Sequence, residues 1–126
     1  MKPLKAEDIY GNWATLLLPI NKAGAVDYIR LEEELDILTS GKLNGIYSNG
    51  TAGEFYTLNE NEFDKVNQLL AEKCEQSGTP FQIGVSHTSA QVSLERLQRA
   101  VAMKPGAVQL ILPDWFPVTI REAMAF

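Results

Sequence analysis

Four short apolar runs, each followed by a segment of helical period, constrain this chain more than any other feature. The runs are residues 11–19, 43–48, 81–85 and 107–112. They are continuously apolar rather than alternating, the pattern of strands buried on both faces of a parallel sheet. Pro19 ends the first, because proline cannot donate to a ladder. Asn21 and Gly24 in the connection that follows are turn formers.

The segments between the runs read as amphipathic helices. Tyr28, Leu31, Leu35 and Leu38 recur at three- and four-residue steps, with Arg30, Glu32, Glu33, Glu34 and Asp36 between them. Gly41 closes that helix. The next has the clearest start: Asn59 caps, Glu62 returns the bond, and Leu58 with Phe63 forms a hydrophobic staple. Its inner face is Phe63, Val66, Leu70 and Cys74, and Ser77-Gly78-Thr79-Pro80 stops it. Ser89 stands as cap of a third helix with Leu94, Leu97 and Val101 on its inner face, broken at Lys104-Pro105-Gly106. Thr119 and Glu122 form another capping box at the start of a fourth.

Strands alternating with helices at roughly thirty residues per unit imply a parallel sheet with right-handed crossovers. A doubly wound open sheet and a (β/α) barrel both fit. A barrel typically takes about 250 residues, twice the length of this chain. The last helix decides between them, since about seven residues are too few to cover a strand alone. The expectation is the first half of a (β/α)8 TIM barrel, roughly four β/α units spanning 1–126 with no second domain.

Composition excludes several functions. The net charge of −5 and the absence of any Lys/Arg run argue against nucleic acid. The longest apolar runs fall far short of the ~20 residues of a membrane helix, and residues 1–10 contain no signal-peptide core. One histidine and one cysteine make no metal cluster. The single cysteine, Cys74, fits a reducing cytoplasm. Its position makes it a small core hydrophobe rather than a reactive thiol.

The candidate site is Gly50-Thr51-Ala52-Gly53-Glu54, which follows the second apolar run. Two glycines bracketing a threonine after a strand can turn backbone N–H groups towards a carboxylate or phosphate. Glu54 is assigned to holding the turn or the next helix through backbone bonds. His87, at the end of the third run, is assigned a helix-start role over a chemical one. Trp115 and Phe116 line either a pocket or a subunit contact.

With these residues in order, the chain resembles the N-terminal half of the dihydrodipicolinate synthase / N-acetylneuraminate lyase family. The most specific match is Gly50-Thr51-Ala52-Gly53-Glu54, against the family's Gly-Thr/Ser-Thr-Gly-Glu turn. Gly11, Ala14, Leu18-Pro19-Ile20, Val26-Asp27-Tyr28, Leu58, Glu62 and the stretch from Gly84 to Ser89 match in the family's order and spacing. The resemblance implies a cytoplasmic, cofactor-free, oligomeric class I aldolase or lyase acting on pyruvate or a related 2-keto acid. In that family a lysine on the sixth strand forms a Schiff base, and a tyrosine on the fifth relays protons. The resemblance gives Thr51 the assisting place in that relay, and Gly50, Thr51, Ala52 and Gly53 the substrate carboxylate.

Two departures stand out. Ala52 lacks the hydroxyl that the family usually has there, so carboxylate binding is expected to be weaker or differently arranged. Pro113-Asp114-Trp115-Phe116 replaces the Pro-Tyr-Tyr-Asn of the synthases, which favours a sister activity on another keto acid. No lysine is positioned for the Schiff base: Lys42 precedes its strand, Lys65, Lys73 and Lys104 fall on helices or their ends, Lys22 is in a loop, and Lys2 and Lys5 are terminal. The chain is therefore expected to stop before the catalytic lysine and to be inactive alone. The alternative is a non-catalytic, carboxylate-binding half-barrel that self-associates.

Overall fold

The computed structural model describes residues 1–112 and 117–126. Four strands alternate with four helices: β1 (Trp13–Thr15), α1 (Tyr28–Ser40), β2 (Gly45–Ser48), α2 (Glu60–Ser77), β3 (Phe81–Gly84), α3 (Ala90–Ala102), β4 (Ala107–Gln109) and α4 (Ile120–Ala125). Among the described residues the pairings between these strands are parallel and the order is β1-β2-β3-β4, a half-barrel of the TIM type. Parallel strands in sequence order bring every strand's C-terminal end, with its loop, to one rim.

The caps explain the helix limits. Asp27 accepts from the Arg30 N–H and opens α1. Asn59 and Glu62 form the reciprocal box expected for α2, and Thr119 and Glu122 do the same for α4. Gly41 ends α1 in an extended conformation (φ −76°), not a left-handed one. Ser89 sits at the N-cap of α3 but its side chain makes no capping bond; its N–H donates instead to His87 Nδ1 at 2.9 Å.

Ile46, Phe81 and Ile83 are fully buried together with Leu31 and Leu35 of α1 and Phe63, Val66 and Leu70 of α2. Each such side chain contributes about 1.5–3 kcal/mol relative to exposure. The opposite sheet face is not the apolar surface that the sequence runs imply. Thr15, Tyr47 and Gln82 lie side by side across β1, β2 and β3, all half-buried. The Thr15 and Tyr47 hydroxyls share a hydrogen bond, and Gln82 Nε2 donates to Gln109 Oε1 at 3.3 Å.

The face of α3 also differs from the period reading. Ser93, Arg96 and Ala100 are buried, whereas Leu94 and Val101 are 48 % and 58 % exposed. Leu97 of the expected face does pack against the core, and the Arg96 guanidinium beside it is held inside by Glu60 and by backbone carbonyls. β1 and β4 are the outer strands, and apolar side chains stand exposed beside each: Leu17 at β1, Ile29 and Ile37 on α1, Val108 and Leu110 at β4. Among the described residues no helix is long and apolar enough to cross a membrane.

Candidate active site

The glycine turn leaves β2 at the shared C-terminal rim. Thr51 and Ala52 are exposed, while Gly50 and Gly53 are buried beneath them. The turn closes through the Phe55 N–H on the Gly50 carbonyl at 3.5 Å and the Glu54 N–H on the Thr51 carbonyl at 3.2 Å. The N–H groups of Gly50, Thr51, Ala52 and Gly53 donate to no protein acceptor among the described residues. Four consecutive unpaired donors beside a threonine hydroxyl suit an anion.

The glycines serve this turn through close approach to neighbouring groups. The left-handed residues are Asn49 (φ 55°) and Glu54 (φ 50°), not Gly50 or Gly53. What requires glycine is close approach. A Cβ on Gly50 would lie 2.7 Å from Cε2 of Tyr47, and one on Gly53 would lie 2.8 Å from the Leu16 carbonyl oxygen. Glu54 holds the turn through its backbone alone: its carbonyl accepts from the Thr57 N–H and hydroxyl. Its exposed carboxylate makes no hydrogen bond among the described residues.

A buried polar layer, not foreseen from the sequence, supports the turn. Asn49, 2 % exposed, donates Nδ2 to Asn67 Oδ1 and to the Gly84 carbonyl, both at 3.1 Å. Ser48 Oγ donates to the same Asn67 oxygen at 2.6 Å, and Asn67 Nδ2 returns to the Phe63 carbonyl. Ser86 Oγ accepts from the Ile111 N–H at 2.8 Å and so ties the ends of β3 and β4. The only signal for this layer was polar residues inside apolar segments, such as Asn67 between Val66 and Leu70.

Arg96 of α3 reaches under the turn to the Glu60 carboxylate (2.8 Å) and the carbonyls of Ser86 (3.0 Å) and Leu58 (3.3 Å). Glu60 also pairs with Arg99, which holds Asp64 at 2.7 Å. Burial pushes the Glu60 carboxyl up, but the hydrogen bonds from Arg96 and Arg99 outweigh it and hold the group below its ordinary range. Cys74 is buried in the core as expected, and burial pushes its thiol up to about 12.

His87 stands at the adjacent strand end, with Nδ1 accepting from Ser89 and its carbonyl accepting from Ser93 Oγ, the helix-start role assigned to it. No lysine among the described residues occupies a strand end. Lys73 is ion-paired to Asp36 and Glu32, and Lys65 lies over the Tyr28 ring. The segment Pro113-Asp114-Trp115-Phe116, on which the second departure rests, lies outside the described residues.

The model of the dihydrodipicolinate synthetase family matches residues 8–121. The chain belongs to this family. The 4-hydroxy-tetrahydrodipicolinate synthase of Staphylococcus carnosus is 31 % identical over 100 residues, covering 79 % of this chain and 34 % of that protein. An uncharacterized DapA-like lyase of Thermococcus onnurineus is 29 % identical over 105 residues, covering 82 % and 34 %. The chain thus spans about a third of the length of the curated relatives it matches. Among solved structures, the E. coli K12 prophage protein YagE, of the dihydrodipicolinic acid synthase family and in complex with pyruvate, superposes with a TM-score of 0.84 at 20 % identity. That match covers 93 % of this chain and 39 % of YagE, and at this identity it speaks for the fold. Within the dihydrodipicolinate synthetase family, then, this chain is four β/α units carrying the glycine turn at its rim.

Proposed function

We propose that the chain contributes the carboxylate-binding half of a Schiff-base aldolase or lyase acting on pyruvate or a related 2-keto acid. The observation that carries this reading is the row of four unpaired N–H donors at residues 50–53, beside the exposed Thr51 hydroxyl. A carboxylate seated there would orient the adjacent keto carbon towards the strand ends. A lysine amine from outside residues 1–126 then attacks that carbon and water leaves. The resulting iminium draws electrons from the neighbouring C–C or C–H bond. Thr51 assists proton transfer at that centre, with the relay tyrosine also supplied from outside the chain. Ala52 binds through its N–H alone, and the loss of one hydroxyl bond to a charged group weakens binding by about 1.5–3 kcal/mol. A cytoplasmic homo-oligomer working without a cofactor is the setting for this reading.

Reduction with borohydride in the presence of pyruvate tests it. A polypeptide that joins residues 1–126 to the family's lysine-bearing strand should gain the mass of reduced pyruvate on one lysine, and residues 1–126 alone should gain none. A second reading, a non-catalytic half-barrel that self-associates, is favoured by the exposed Leu17, Ile29 and Val108 beside the outer strands. It prevails if no adduct forms on either polypeptide.

A further inference from the structure

We propose that Arg96 is the positioning residue that holds the glycine turn in its ligand-ready shape, an inference that takes the turn's purpose from the carboxylate reading above. Arg96 is 2 % exposed, and a guanidinium inside a protein requires each N–H to find an acceptor. Nε and Nη2 grip the Glu60 carboxylate at 3.0 and 2.8 Å. Nη2 also donates to the Leu58 carbonyl at 3.3 Å, and Nη1 donates to the carbonyls of Ser86 at 3.0 Å and Phe55 at 3.5 Å. The group lies over the Phe63 ring, 4.8 Å from its centroid.

Those three carbonyls belong to two connections at the rim. Phe55 and Leu58 form the outgoing leg of the glycine turn, and Ser86 lies in the loop just after the third strand. The Phe55 N–H is also the donor that closes the turn on Gly50, so Arg96 grips the same residue from its other side. Charge balance alone does not call for this arrangement, because an apolar side chain commonly replaces a buried ion pair without loss. A planar fork gives directed bonds to carbonyls on both connections, which a lysine ammonium cannot span from one point.

Amide hydrogen exchange tests the clamp directly. The comparison is wild type, Arg96→Lys, and the double variant Arg96→Met with Glu60→Gln, which removes both charges of the pair while Arg99 keeps Asp64. The Glu54 and Phe55 amides should exchange at least tenfold faster in both variants. The Leu16 amide, which donates to the Tyr47 carbonyl, should keep its wild-type rate. Unchanged exchange at Glu54 and Phe55 overturns the proposal. So does equal acceleration at Leu16, which would mark Arg96 as a general stabiliser.

A pyruvate titration followed at the amides of residues 50–53 separates the two readings. Weakening of the Kd by at least tenfold in Arg96→Lys supports the clamp and its purpose together. If the exchange signature is present but pyruvate leaves the wild-type amides unmoved, the clamp stands and the carboxylate reading falls.

Discussion

Gly53 lies so close to the first strand that a Cβ there would stand 2.8 Å from the carbonyl oxygen of Leu16. The turn is thereby pressed against β1 as well as carried by β2. Gly53→Ala must push the two backbones apart, and overpacking of this kind costs about 1–3 kcal/mol. Urea unfolding should show a lower midpoint with an unchanged m-value. A midpoint equal to wild type would mean that the contact is slack.

Thr51 and Ala52 separate proton transfer from binding. In the lysine-bearing polypeptide, Thr51→Val keeps the side-chain shape and removes the hydroxyl. Turnover should fall more than keto-acid binding weakens, as steady-state kinetics can resolve. Ala52→Thr restores a donor and should tighten pyruvate binding about tenfold or more, as a charged hydrogen bond of about 1.5–3 kcal/mol implies. Unaltered turnover in the first variant, or unaltered affinity in the second, removes that residue from its assigned role.

Cys74 should be inert and should set an alkaline limit. Burial raises its folded-state pKa to about 12, so the folded protein retains a proton that the unfolded chain releases near its ordinary value. The stabilisation is fully present below the unfolded pKa and is lost as pH rises towards 12, with a slope of up to about 1.4 kcal/mol per pH unit. Thiol labelling at neutral pH should require unfolding, and the urea midpoint should decline above pH 9. Stoichiometric labelling of the folded protein at pH 7 would contradict this.

How much of this was legible in the sequence differs from element to element. The alternation of runs and helical period located the four strands and four α-helices of the described residues, with side-chain caps as expected at Asn59 and Thr119 but not at Ser89. The inner face of α3 was legible only in part: Leu97 packs against the core as expected, Leu94 and Val101 stand exposed, and the charged Arg96 is buried instead. No spacing rule reveals that a charged residue will find Glu60 and three carbonyls at once. Glycine at 50 and 53 was legible as a turn. That the constraint is contact with Tyr47 and Leu16 rather than positive φ depends on tertiary approach.

The outer strands lead to a prediction about association. β1 pairs only with β2, and β4 only with β3, among the described residues. Such edges, flanked by exposed Leu17, Val108 and Leu110, template pairing with another chain. Residues 1–126 expressed alone should sediment as a dimer or larger species, or give weak near-ultraviolet dichroism from loosened packing. A sedimenting monomer with sharp aromatic signals and cooperative melting would show that four units suffice as a domain.

The central claim is that the turn at residues 50–53 receives a carboxylate on its backbone N–H groups. Its most direct test is a titration of the isotope-labelled protein with pyruvate, and with acetone as the neutral ketone lacking the carboxylate. The account predicts saturable amide shifts at Gly50, Thr51, Ala52 and Gly53 with pyruvate and none with acetone. Equal responses to both compounds, or shifts confined to other residues, would contradict it.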